Sequence, residues 1–313
     1  RQVVFQAGSR GRLSNCLVQY AGQWGYPGVG ILSSDVVIGD CRVRDNANDG
    51  VAIINHPGLR PTLQNLTITN NSNYAIWQAG DASATYKRLV LSGNGTNAIG
   101  TSGNTTVDAT WDTSQAGAAL RIDTYFRVAY GTVLTLAPWT DVGFDPYGQF
   151  EVTGGLIAEG TPGQPITFTA ALSVPHAGDW QQIYVWDVAR LRLSHCLIAY
   201  AGVYNYAAVE LRGNDAILRD CRIRDSKQTG LLVYGALHPS VEGITITGSG
   251  GYAIWQSPDA SVLYRRLSLS ENGRNAIGTS GNTNVDATWD TSFAGTTLEV
   301  EGFARVYGGT TLT

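Results

Sequence analysis

The chain has 313 residues, 43% of them hydrophobic and only 15% charged, with 38 glycines and a formal net charge of −4. Two lysines, Lys87 and Lys227, in a slightly acidic chain leave no basic stripe for nucleic acid. No apolar run approaches the ~20 residues that span a bilayer, and charge well below the usual quarter of residues leaves Ser, Thr, Asn and Gly to fill many short strands and turns.

From the N-terminus, short β-prone runs recur at nearly even intervals: C-L-V at Cys16, C-R-V at Cys41, L-T-I at Leu66 and L-V-L at Leu89. Each alternates. Cys16 and Val18, Cys41 and Val43, Leu66 and Ile68, and Leu89 and Leu91 share one side, with Leu17, Arg42, Thr67 and Val90 on the other. Period-two alternation predicts half-buried strands with the first set inside. A second inward register follows Ile31, Ile53, Ile76 and Ile99 at almost the same interval. The clusters D-N-A-N-D-G, T-N-N-S-N and S-G-N-G-T-N lie between the registers and predict turns with left-handed backbone.

The stretch Asn97 to Gly117 returns as Asn275 to Gly295 with two of 21 positions changed. Around it Cys196, Cys221, Ile244 and Leu267 repeat the first register, and Leu211, Val233, Ile254 and Ile277 the second. The offset is constant up to the Ile54 region, as from Cys16 to Cys196, and two positions shorter beyond it, as from Asn97 to Asn275. This marks an internal duplication in which one copy has lost two residues. The expected units are 1–117 (lacking its N-terminal part), 118–295, and 296–313 as the start of a third. All belong to one continuous solenoid. Arg1-Gln2-Val3 aligns with Gln181-Gln182-Ile183, so both ends fall inside a repeat and the expected context is a longer array.

Two inward columns recurring about every 22–25 residues without helical spacing predict an all-β fold, a right-handed, single-stranded parallel β-helix. The middle, Ala118 to Ala170, also reads as strands. The runs Leu134 to Pro138, Gly155 to Thr169, Asp179-Trp180 and Cys196 to Gly202 resemble the coil wording of bacterial extracellular right-handed parallel β-helix repeat proteins of the pectate-lyase-like superfold. The resemblance spans essentially the whole chain and implies that fold, which carries enzymes, adhesins and passive stalks alike.

The candidate binding residues are aromatic. Tyr20, Trp24 and Tyr26 follow the first run, and Tyr200, Tyr204 and Tyr206 occupy the matching places; Trp77 and Trp255 lie beside inward isoleucines and so turn outward. Exposed rings along a β-helix flank make platforms for sugar faces. Tyr20 and Tyr200 have inward parity, however, and loop aromatics also serve to roof a coil. Cys16 with Cys41, and Cys196 with Cys221, stand one coil apart: stacked reduced thiols or two disulfides. Arg42, Arg44, Arg222 and Arg224 point out, either as a solvated charge ladder or as a clamp for acidic sugars. Trp111 and Trp289, with Asp108, Asp112, Asp286 and Asp290, stand where the coil rhythm breaks, as a packed junction or as paired carboxylates acting on a sugar.

The superfold's catalytic motifs (N-T-D, G-H-G and R-I-K of polygalacturonases, the calcium-binding carboxylates of pectate lyases) do not occur, and no catalytic residue, metal or cofactor is assigned. The expected function is a non-catalytic structural or adhesive segment of a longer secreted or cell-surface protein. The alternative is a polysaccharide lyase, a glycoside hydrolase or a glycan-binding module. The expected partners are polysaccharide and, by end-to-end extension of the sheets, further copies of the chain.

Overall fold

The computed structural model describes residues 2–54 and 56–313; Arg1, from which the terminal alignment starts, and Asn55 lie outside them. The fold is all-β, a parallel β-solenoid of about 13 turns with no α-helix among the described residues. Each regular coil contributes three strands, illustrated by Val3–Phe5, Gly11–Ser14 and Leu17–Gln19. Successive strands of each kind pair in parallel and build three faces, called here first, second and third.

Inward alternation holds along the predicted strand runs. Val43, Ile68, Leu66, Ile31, Ile53, Ile76 and Ile99 are fully buried, while Leu17, Arg42 and Val90 are exposed. Val18, Val43, Ile68 and Leu91 stack in register on the third face, as do Ile198, Ile223, Ile246 and Leu269 later. The first-face column needs correction. Ile31 pairs with Ile53, but Ile76 and Ile99 continue the column of Val29 and Val51, so Gln78 falls against Ile53. The parity survives a two-residue slide because side-chain direction repeats every two residues. Gln78 is buried there, and Tyr86 donates its hydroxyl to Gln78 Oε1 at 2.6 Å.

The second face was not foreseen. Leu13, Ile38, Leu63 and Tyr86 stack in register as an inward column. The corners on either side of the third face are left-handed. Asn15, Asp40, Asn65 and Arg88 precede the third-face strands, and Tyr20, Asp45, Asn70 and Gly93 follow them, all at φ between 50° and 67°. Each Asn/Gly cluster supplies one of these corners, at Asp45, Asn70 and Gly93, as its composition predicts. Their middle asparagines instead turn inward as a buried ladder: Asn46 Nδ2 donates to Asn71 Oδ1, and Asn71 Nδ2 to Asn94 Oδ1, each at 2.7 Å.

The coil does not break at Trp111. Ala109–Trp111 is an ordinary second-face strand paired with Val133–Leu136. The irregularity comes next: Leu120–Val128 is long and pairs with both Asp141–Phe144 and Gln149–Val152, so the later third and first faces both grow from one strand. Aromatic rings fill the core at this widening. Trp111 lies 4.7 Å from Phe126, Phe126 lies 5.5 Å from Phe150, and Phe144 stacks on Trp180 at 4.0 Å. Asp112 caps the following turn by accepting from the Ser114 amide at 2.9 Å, and Asp108 accepts from the Val133 amide at 2.8 Å.

The parity yields a direct expectation. Leu66 is fully buried and Thr67, the next residue, is half-buried. Leu66→Ala should cost about 2–5 kcal/mol in urea unfolding, and Thr67→Ala about half a kcal/mol or less. Equal costs would reverse the inward assignment.

Candidate functional site

The outward column of the first face changes character along the axis. It begins small and apolar with Val4, Gly30 and Ala52, then runs through Trp77, Gly100 and Arg121. Arg121 is in register with Gly143, and six residues farther along the same long strand Arg127 begins a second outward column through Glu151, Tyr184, Glu210, Leu232, Trp255 and Gly278. Successive positions are one strand apart, about 4.8 Å.

Its centre is a groove of about 480 Å³ lined by Tyr125, Arg127, Glu151, Tyr184, Trp186 and Arg212, together with Tyr206 and Glu210. Glu151 and Glu210 are each only 5% exposed, and a buried carboxylate needs partners. Arg127 Nε donates to Glu151 Oε2 at 2.8 Å, and the Tyr125 hydroxyl and Trp186 Nε1 donate to the same carboxylate. Arg212 Nε donates to Glu210 Oε1 at 2.7 Å. The Arg212 guanidinium also lies 4.1 Å from the Tyr234 ring centre, and Tyr184 meets Trp186 edge-on at 5.2 Å. Both carboxylates of the cluster are anchored, so the rings around them hold fixed positions facing solvent. The two carboxylates stand two strands apart, about 10 Å along the axis, and each is committed to an arginine. This arrangement suits holding a polar chain more than transferring a proton to it.

Aromatic pairs flank the groove. Tyr74 and Trp77 meet at 5.1 Å, as do Tyr252 and Trp255. Glycine makes both possible: a Cβ on Gly100 would come within 2.6 Å of the Tyr74 ring and 2.7 Å of Trp77, and Gly278 has the same role beneath Trp255. Half-buried Trp77 and Trp255 therefore lie outward along this face, as their parity predicts.

The predicted aromatic residues divide into groups. Tyr206 lines the central groove, and Tyr204 beside it stacks on Tyr147 at 5.6 Å. Tyr200 is half-buried against the core, with the Arg224 guanidinium 4.8 Å from its ring and Arg224 Nη1 donating to its hydroxyl at 2.9 Å. Tyr20, Trp24 and Tyr26 project at the first coil's corner, Trp24 being 92% exposed. Tyr20 is not inward as its parity suggested: at φ 54° it is a left-handed corner residue and points out, 72% exposed. The structure thus places Tyr206 and Trp255 along the later part of the first face and Trp77 on its earlier part, and leaves Tyr20, Trp24 and Tyr26 apart.

Sequence reasoning missed Glu151, Tyr184, Trp186, Glu210 and Arg212. The signal was present in F-E-V, I-Y-V and V-E-L, where two inward apolar residues bracket one outward polar or aromatic residue. The cluster is not duplicated with the rest of the coil. The earlier counterparts of Tyr184 and Glu210 are Val4 and Gly30.

All four cysteines carry free thiols. The Cys16 amide donates to Cys41 Sγ and the Cys196 amide to Cys221 Sγ, each at 3.4 Å. Burial pushes the Cys41 thiol up, and the hydrogen bond to Cys221 together with burial holds Cys196 well above the usual thiol range. On the third face, Arg222 and Arg224 border a hollow of about 400 Å³ walled by Pro162, Pro165 and Leu197. Among the described residues no group of three or more His, Cys, Asp or Glu is arranged to hold a metal ion, and no helix is long and apolar enough to cross a membrane.

Residues 1–94 and 179–291, about two-thirds of the chain, match the family model described as a right handed beta helix region. No curated protein and no solved structure matches the chain. The unmatched interval contains the long strand Leu120–Val128 and the coil that supplies Glu151.

Proposed function

From the premise that this chain belongs to the right-handed β-helix family, we propose that it is a non-catalytic glycan-binding segment of a secreted or cell-surface protein, its first face holding a polysaccharide chain along the solenoid axis. The observation that carries this reading is the anchored central cluster, in which Tyr184 and Trp186 are fixed between two arginine-paired glutamates. The outward column from Arg127 to Trp255 runs over five strand spacings, roughly 24 Å, and ends on the Tyr252–Trp255 pair. That length fits an extended oligosaccharide of several units. Rings supply apolar platforms for sugar faces, and the amide and charged groups between them supply directional hydrogen bonds.

A glycan array followed by calorimetry tests the proposal. Binding to at least one linear polysaccharide is expected, and Tyr184→Ala with Trp186→Ala should weaken it on the order of tenfold or more. An array without a binder, or binding indifferent to both substitutions, removes the reading. Release of unsaturated or reducing ends from a uronic-acid polymer would replace it with the enzymatic alternative.

A further inference from the structure

The aromatic pair occurs twice on the first face, and the two settings differ in one charge. Beside Tyr252 and Trp255 the chain supplies its own cation. Arg274, in register with Tyr252, places its guanidinium 5.9 Å from the Tyr252 ring centre and 3.8 Å from Glu299. Beside Tyr74 and Trp77 the residue in the same register position is Thr96, which carries no charge.

The surroundings of Thr96 are nonetheless acidic, with Asp49 accepting from the Tyr74 amide at 3.1 Å. A hollow of about 400 Å³ joins Asp49, Asp123 and Asp145 to Tyr74, Trp77 and Thr96, with the amides of Asn48 and Asn73 at its rim. Arg121 pairs with Asp145, but among the described residues no arginine, lysine or histidine forms an ion pair with Asp49 or Asp123. Asp123 and Asp145 follow paired residues Ile122 and Phe144 on adjacent strands, which brings the two carboxylates together. Burial pushes Asp49 and Asp145 upward, and at Asp145 the neighbouring Asp123 adds to the rise while Arg121 opposes it. Crowded carboxylates beside aromatic rings favour an organic cation, because a ring face and a carboxylate both attract it.

We infer that this hollow is a subsite for the primary ammonium group of an amino sugar in a polysaccharide lying along the first face. The inference rests on the glycan-binding reading above. Trp77 offers the flat apolar surface a pyranose ring requires, the aspartates take the ammonium, and Asn48 and Asn73 take hydroxyls. The equivalent place at Tyr252 is already filled by Arg274, so the chain has one such subsite at this pair of stations.

Calorimetry with a β-1,4-linked glucosamine hexamer and its fully N-acetylated counterpart tests this. The amine form should bind on the order of tenfold more tightly. Thr96→Arg, which supplies to this hollow the charge that Arg274 supplies to the other, should erase the preference without changing the circular dichroism spectrum or melting temperature. Asp123→Asn, a milder change, should reduce it. Equal affinity for the two oligomers, a preference that persists in Thr96→Arg, or equally tight binding of a lysine hexapeptide overturns the subsite. If both oligomers bind equally and binding falls with Trp186→Ala but not with Thr96→Arg, the ammonium subsite is lost and the glycan-binding face remains. If neither oligomer binds but the array finds another polymer, the same holds; silence in both experiments removes both.

Discussion

Replacing Trp111 with alanine should lower stability by about 3–5 kcal/mol. The indole is buried where the solenoid widens, 4.7 Å from Phe126 and 6.4 Å from Phe150. Its Nε1 donates to the Gly80 carbonyl at 3.1 Å, so alanine leaves both a cavity and a buried carbonyl without its donor. Trp289, in the near-identical later segment, donates to Pro258 O at 2.9 Å but is only half-buried. Trp289→Ala should therefore cost clearly less. Guanidinium unfolding monitored by circular dichroism measures both; equal costs would mean that the aromatic core around Leu120–Val128 adds nothing to what the local turn provides.

Asn71→Ala is the second large effect, expected at about 3 kcal/mol from buried groups left without partners. Asn71 Oδ1 accepts from the Asn46 amide at 3.2 Å and from Asn46 Nδ2 at 2.7 Å, while its own Nδ2 donates to Asn94 Oδ1 at 2.7 Å. Alanine interrupts the ladder in its middle and leaves groups on both sides unsatisfied. The later coils carry Ser226 and Ser249 at the matching positions, where the Ser249 amide donates to Asn272 Oδ1 at 3.0 Å. Asn71→Ser should accordingly cost less than Asn71→Ala. If the two are equal in urea unfolding, the asparagine side chain contributes only its volume and the ladder bonds contribute nothing.

Much of this molecule was legible from its residues because the solenoid repeats a local rule. Alternation at Cys41–Val43 and Leu66–Ile68 decides which side is buried, and no distant part of the chain can reverse it without exposing those side chains. The coil period followed from the same rule, and the family from the resemblance of the runs between Leu134 and Gly202. Alternation fails at the corners. Tyr20 lies outside the turn clusters and carries no mark that separates a left-handed corner from a continuing strand. The second face is harder to read because its inward column changes residue type from coil to coil, as from Ile38 to Leu63 to Tyr86.

The sequence by itself determined the β-helix, its inward columns and the outward placement of Trp77 and Trp255, because each depends on contacts within a strand or one coil away. The outward cluster depends on how distant strands pair. Glu151, Tyr184 and Glu210 are unevenly spaced along the chain, yet they are consecutive partners in register. The segment between Ala170 and Ile183 lengthens one coil, and closing a longer loop costs little more than closing a short one. Chain spacing therefore carries no reliable record of which outward residues become neighbours. The pairing of strands supplies that record, and with it the groove, the buried glutamates and the difference between Thr96 and Arg274.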